Sequence, residues 1–187
     1  MFILASQSPR RAELLKAAGF DFVTLPVNID ESVRHGETPT EHVKRLAEEK
    51  ARAAAARTRA EGPVVLGADT IVVVGADILG KPKDSDDALR MLQLLAGHSH
   101  EVLTGVAVVT SEDTQVEVAR TSVQFAPLSN AEMSWYVSTG EPMDKAGGYA
   151  IQGLASRYVE RIEGSYSNVV GLPVALVYKL LRRYPER

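Results

Sequence analysis

Asp69 stands in Gly67-Ala68-Asp69-Thr70, directly after the apolar run Val64-Val65-Leu66. The run reads as a buried strand that ends here. It would present the carboxylate beyond its carboxyl end, where open α/β sheets bind ligands. A carboxylate fixed in that way can hold a metal or take a proton from water, although an Asp in such a setting can equally do no more than cap a turn. A second strand end lies at Ser6-Gln7-Ser8-Pro9-Arg10-Arg11. A strand that feeds a helix leaves backbone N–H groups free at the positive end of the helix dipole. Two hydroxyls and two guanidiniums, here Ser6, Ser8, Arg10 and Arg11, would strengthen that end for phosphate. A capped helix with solvated arginines has the same composition.

Three further segments carry reactive types. Lys50 falls seven residues after Val43 on the apolar stripe Val43, Leu46, Ala47, Ala51, Ala54, so its ammonium either snorkels past its neighbours or points into a cleft. Gly75-Ala76-Asp77-Ile78-Leu79-Gly80-Lys81-Pro82 nearly spells a P-loop, but Pro82 has no hydroxyl for magnesium and Ile78-Leu79 reads as extended. Lys81 is left as a point charge for phosphate at a hairpin end. In Ala146-Gly147-Gly148-Tyr149-Ala150-Ile151-Gln152-Gly153, paired glycines allow positive φ or close backbone approach, and Gln152 has the donor and acceptor needed to read the edge of a base. A Gly-rich turn before a strand has the same look.

The remaining candidates are weaker. Asp30 and Glu31 form a carboxylate pair in a loop, where most acids are solvated, and residues 164–173 read as a polar loop. The histidines make no zinc pattern; His98 and His100 lie beside a helix stop and are expected to cap it or face solvent. Trp135 and Tyr136 are expected to pack. No GxSxG elbow or GxGxxG fingerprint is present.

The elements that must position these groups follow from local rules. Residues 2–5 read as a short buried strand, 10–18 as a helix with Ser8 at its N-cap and Gly19 at its stop, and 20–25 as a second strand. Thr38-Pro39-Thr40-Glu41 is a capping box opening a helix to about residue 59, broken by Gly62-Pro63. Residues 70–74 and 78–79 flank a tight bend, and a helix from about residue 84 runs to Leu95. Strands near 101–110 and 115–125 form an antiparallel pair. A second capping box at Ser129-Asn130-Ala131-Glu132 opens a helix ending at Gly140, followed by a strand near 158–162 and a helix from about Pro173. Helices mixed with paired strands give an α/β fold with a mixed sheet.

The chain has 187 residues, a formal net charge of −3 and no cysteine. One domain spanning 1–187, with two lobes and no separable linker, is expected. Thiol chemistry and disulfides are excluded. Basic residues are interspersed with acids, which argues against bulk nucleic acid as a partner. With no signal-peptide pattern and no apolar run of membrane length, a cytoplasmic protein without membrane partners is expected.

The stretches Leu4-Ala5-Ser6-Gln7-Ser8-Pro9-Arg10-Arg11, Gly67-Ala68-Asp69-Thr70, Gly80-Lys81-Pro82, His100-Glu101-Val102-Leu103-Thr104-Gly105, Ala146 to Gly153 and Asn168-Val169-Val170-Gly171-Leu172-Pro173 together resemble the Maf family of nucleoside triphosphate pyrophosphatases. All six occur in the family's order. The resemblance implies a two-lobed α/β fold about a cleft, similar to that of inosine triphosphate pyrophosphatases, and a homodimer. It also implies hydrolysis of a nucleoside triphosphate to monophosphate and pyrophosphate with a divalent cation, Mg2+ or Mn2+. On this resemblance Asp69 is the catalytic base; as a strand-end carboxylate it could also hold the metal, with Glu31 a candidate second acid. Ser6, Ser8, Arg10, Lys50 and Lys81 would surround the triphosphate. Arg11, Thr70 and Gln152 fall where the family's subgroups differ, and match the branch acting on dTTP and UTP. The alternatives are a 7-methyl-GTP or ITP pyrophosphatase, or a nucleotide-binding regulator of septum formation.

Overall fold

The apolar tetrad Phe2–Ala5 forms strand β1, buried along its whole length, because it is flanked in parallel by β2 (Phe22–Thr24) and β3 (Val65–Val74). Strands enclosed on both faces carry continuous apolar runs. The computed structural model describes residues 1–184. After β1 come α1 (Pro9–Ala17), β2, α2 (Pro39–Arg57), β3, β4 (Asp77–Leu79), α3 (Ser85–Leu95), β5 (Ser99–Val109), β6 (Thr114–Phe125) and α4 (Asn130–Ser138). Three 3-10 turns, Glu141–Asp144, Ala146–Gly148 and Leu154–Tyr158, precede β7 (Val159–Glu163), α5 (Tyr166–Val170) and α6 (Val174–Leu181). The seven strands hydrogen-bond in the order β2-β1-β3-β5-β6-β7, with β4 antiparallel to β3. Parallel and antiparallel pairs coexist, so the sheet is mixed.

The chain forms two compact units, Met1–Thr70 with Thr104–Ala119 and Gly171 onward, and Ile71–Leu103 with Arg120–Val170. In the first unit the sheet is covered on both faces, and the side-chain period of two sorts the residues. Leu4, Leu66, Ala68, Val106 and Val108 pack with Leu15 of α1 and Val177 and Leu180 of α6. Ile3, Ala5, Val65, Ala107 and Val109 pack with Ala47, Ala51 and Ala54 of α2. Helix α2 can lie close because the strands offer it no side chain at two points. A Cβ on Gly67 would sit 2.1 Å from the Ala47 carbonyl oxygen, and one on Gly105 2.1 Å from that of Val43. The Thr38–Glu41 capping box fixes where α2 starts.

The second unit is built on Leu92, Leu95, Val102, Phe125, Tyr136, Tyr149 and Tyr158. His100 belongs to this core, contrary to the expectation that it would cap the helix stop or face solvent. Its Nε2 lies 2.8 Å from the Tyr149 hydroxyl and its ring packs edge-on against Phe125 and Tyr149. The inward parity of β5 overrides the local helix-stop signal. Trp135 also departs from expectation: it is partly exposed, with the Arg157 guanidinium 4.4 Å from its ring centroid, while Tyr136 is buried. The polar segment 164–173 contains helix α5. Among the described residues no helix is long and apolar enough to cross a membrane.

Two outcomes test this packing. Gly67→Ala is expected to cost at least about 2 kcal/mol in urea unfolding, the scale of core overpacking, whereas Gly80→Ala, with nothing within 4 Å of the added atom, should be near neutral. Burial holds the His100 imidazole down to about 4, so between that pH and its unfolded value of about 6.5 the unfolded chain binds the extra proton. Stability should therefore fall as pH drops from about 6.5 towards 4, and His100→Gln should remove one proton's worth of that slope in pH-dependent denaturation.

Candidate active site

Strand β3 continues through Asp69 to Val74, so the carboxylate sits mid-strand rather than past a strand end at Leu66. The β-branched run after Thr70 keeps pairing with β4, and the small residues Gly67-Ala68 accommodate neighbours instead of breaking the strand. The parallel partner β1 stops at Ala5, which aligns with Gly67. Asp69 therefore still lies beyond the carboxyl end of β1, level with the turn that leads into α1.

Side-chain alternation then separates the tetrapeptide. Gly67 and Asp69 share the α2 face, and Ala68 and Thr70 share the α1 and α6 face. On the α2 face Lys50 comes down one turn beyond Leu46 and Ala47. Its Nζ donates to Asp69 Oδ1 at 2.6 Å and lies 2.6 Å from Glu31 Oε1. The Lys50 and Asp69 side chains are only 11% and 9% exposed, while Glu31 is 56% exposed. One ammonium thus joins a buried carboxylate to one open to solvent, and the two bridged oxygens lie no farther apart than twice the ion-pair distance. Removing one partner of a buried pair leaves an uncompensated charge, at about 3–5 kcal/mol.

On the other face Arg11 turns inward from α1. Its Nε donates to the Gly171 carbonyl at 2.8 Å, one Nη to the Ala68 carbonyl at 2.8 Å and Ser6 Oγ at 3.2 Å, and the other Nη to Thr70 Oγ1 at 3.0 Å. Thr70 Oγ1 is also 2.9 Å from Thr104 Oγ1 and donates to the Gly171 carbonyl at 3.2 Å. Burial pushes the Arg11 guanidinium down in pKa, and nearby Asp69 pulls it back up; it stays charged. Of the two arginines expected to face an anion, Arg11 therefore spends its donors on tying Ser6 just past β1, β3 and the turn before α6 together. Arg10 is half-buried in the first turn of α1.

The start of α1 retains the features of an anion site. Ser8 is at the N-cap with no side-chain cap bond, Pro9 occupies the first position, and the Ser8 amide donates to Ser6 Oγ at 3.1 Å. The dipole end is not covered by a capping side chain. Ser6, Ser8, Arg11 and Thr70 thus gather on one side of β3, and Lys50, Glu31 and Asp69 on the other. Lys81 and Gln152 belong to the second unit, where both are exposed. Their segments meet there: the Gly147 amide donates to the Gly80 carbonyl at 3.0 Å, and a Cβ on Gly147 would strike Val72 at 2.7 Å.

Sequence reasoning missed two supports. Thr104 shares the inward parity of Val106 and Val108, a period-two signal that places it beside Thr70. The loop carrying Glu31 is held by Arg45, which forks onto Glu37 at 2.6 and 2.8 Å and donates to the Ser32 carbonyl at 3.0 Å. Glu37 directly precedes the Thr38–Glu41 capping box, and nothing local marks it as the partner of Arg45. That bidentate bond, and lesser ones from the Arg34 amide and His42, hold the Glu37 carboxyl well below the usual range.

Among the described residues no group of three or more His, Cys, Asp or Glu side chains converges as a metal cage. Asp69 and Glu31 on one Lys50 nitrogen are nevertheless the donor set a hard cation takes when phosphate oxygens and waters complete its shell. The residues fit Mg2+ or Mn2+ shared with a phosphorylated ligand.

Comparison with known proteins bears on this geometry. The family model described as Maf-like protein matches residues 1–184. A protein of Anaeromyxobacter sp. (strain Fw109-5) named dTTP/UTP pyrophosphatase is 54% identical over 186 residues, covering 97% of this chain and 88% of the relative. A protein of the same name from Symbiobacterium thermophilum is 51% identical over 182 residues, covering 97% and 93%. Among solved structures the Staphylococcus aureus Ham1 protein aligns with a TM-score of 0.55 at 14% identity, over 97% of this chain and 98% of that one, a likeness of fold.

The inward fork of Arg11 makes a clear expectation. Arg11→Lys keeps the charge but cannot serve all four acceptors, so it should destabilise the fold by about 2 kcal/mol or more, read as a lower urea midpoint with an unchanged slope.

Proposed function

Because this chain belongs to the Maf family, whose model spans residues 1–184, we propose that it hydrolyses dTTP and UTP to the nucleoside monophosphate and pyrophosphate. The observation that carries this reading is the Lys50 ammonium shared by buried Asp69 and exposed Glu31, beside the uncapped start of α1. Relatives about half identical over nearly the full chain bear the name of that activity.

In this reading the α1 amides, with Ser6, Ser8 and Arg10, bind phosphate oxygens. Lys50 and Lys81 supply further positive charge for the leaving pyrophosphate. Asp69 accepts a proton from a water that attacks the α-phosphorus. A P–O bond forms to water, the bond from the α-phosphorus to the bridging oxygen breaks, and pyrophosphate leaves with the electron pair. Lys50 orients Asp69 by direct pairing. Asp69 and Glu31 would hold Mg2+ or Mn2+, which supplies charge neutralisation of the polyphosphate. Gln152 reads the uracil or thymine edge, and Arg11 and Thr70 hold the strand ends from which the site is built. A homodimer in the cytoplasm belongs to the same reading; the absence of cysteine suits a reducing compartment.

Pyrophosphate release from dTTP, UTP, 7-methyl-GTP and ITP tests the reading, with dTTP and UTP expected to lead. Preference for a purine would overturn the substrate assignment. Asp69→Asn should still bind nucleotide while turnover falls by about 10²-fold or more; undiminished turnover would remove Asp69 from the chemistry. Chelation of divalent cations should abolish release and added Mg2+ or Mn2+ restore it.

A further inference from the structure

Gln152 sits on an exposed turn, and a side chain that discriminates between bases must be held still. The turn closes on itself, with the Gly153 amide donating to the Ala150 carbonyl at 3.0 Å. Both of its flanks then attach to one pair of side chains. Two residues before Gln152, the Ala150 amide donates to the Tyr136 hydroxyl at 3.2 Å. Two residues after it, the Leu154 amide donates to Glu141 Oε2 at 3.0 Å, and the Ala155 amide donates to Oε1 at 3.4 Å. Tyr136 and Glu141 are themselves joined, the phenol donating to Glu141 Oε1 at 2.8 Å.

Each partner is fixed in turn. Tyr136 is fully buried on α4 and packs edge-on against Tyr158. Burial and the adjacent Glu141 carboxylate push its pKa up, which keeps the phenol a donor. The Glu141 amide donates to Thr139 Oγ1 at 3.2 Å, and Lys145 Nζ donates to the Glu141 carbonyl at 2.8 Å. The backbone of the turn is shaped to admit this carboxylate. A Cβ at Gly153 would lie 2.4–2.7 Å from the Glu141 carboxyl group, so a side chain there would push that carboxylate off the amides beyond. Gly153 has an ordinary negative φ of −107°, and the requirement there is for space.

We infer that Tyr136 and Glu141 are positioning residues for base discrimination: they act through Gln152 by pinning both ends of its turn. The inference rests on Gln152 reading the base. Thymine and uracil present a carbonyl at the position where cytosine presents an amino group, so a displaced amide loses the distinction between them. Misplacement on the ångström scale is sufficient to cost orders of magnitude in a positioned contact.

The test is kcat/KM for dTTP and dCTP in the full chain, compared among wild type, Gln152→Ala, Tyr136→Phe, Glu141→Gln and Gly153→Ala. Tyr136→Phe preserves the buried ring and so guards against a variant that fails to fold. The dTTP-to-dCTP ratio should fall about tenfold in Tyr136→Phe and Glu141→Gln, and Gly153→Ala should follow them. Neither change should lower the ratio further in a Gln152→Ala background. A purely structural role would scale both substrates together and leave the ratio where it was, which would overturn the inference while Gln152→Ala still collapses it. A ratio untouched by Gln152→Ala removes the base-reading role and this inference with it. A wild type that releases no pyrophosphate from dTTP or UTP instead removes the proposed function on which both depend.

Discussion

The distance between helix α2 and the strands beneath it governs the first unit. With hydrogen atoms alone at Gly67 and Gly105, the helix backbone comes to rest against the sheet, and Ala47, Ala51 and Ala54 fill the contact without pushing it away. A lysine seven residues past Val43 then overlies the strand two residues past Gly67. The ion pair between Lys50 and Asp69 is a consequence of backbone approach, because a longer helix-to-sheet spacing would leave the same side chains apart. Interiors packed at crystal density do not adjust continuously, so the two glycines and the ion pair form one constraint.

Two buried cations flank β3 and do different work. Arg11 is a rigid planar fork, and its donors meet carbonyls and hydroxyls from Ser6 just past β1, from β3 and from the turn before α6. Such a group welds strand ends whose backbone acceptors would otherwise be unsatisfied. Lys50 is a flexible point charge shared by a buried and an exposed carboxylate. The first cation therefore ties strand ends together, and the second bridges two carboxylates.

Most local signals for hydrogen bonds made within a few residues held, although Ser8 stands at the N-cap of α1 without a side-chain cap bond. Both capping boxes form as written, with the Thr38 and Ser129 hydroxyls accepting the Glu41 and Glu132 amides. The bend at Gly75 joins β3 to β4, and Pro9 opens α1. Signals failed where a distant partner decided. Small residues at Gly67-Ala68 looked like the end of a strand, yet Gly67 is where α2 lands and Ala68 packs on the opposite face. A helix-stop neighbourhood suggested a solvated His100, whereas strand parity turned it into the core of the second unit. The carboxylates Glu37 and Glu141 hold loops by reaching amides and guanidiniums that no spacing rule connects to them.

The sequence by itself determined the chemistry-bearing residue types, the order of the longer elements and the family: hydroxyls and arginines at the start of α1, an acid after Leu66, a lysine on an apolar stripe, and a glutamine after paired glycines. Those features are local, written in composition and periodicity. Tertiary structure alone decided which of them touch. Arg11 rather than Arg10 turns inward, Glu31 rather than Asp30 joins Lys50, and Asp69 faces one helix while its neighbour Thr70 faces another. The physical reason is that such choices depend on strand register and helix approach, which are set by packing between segments far apart in the chain.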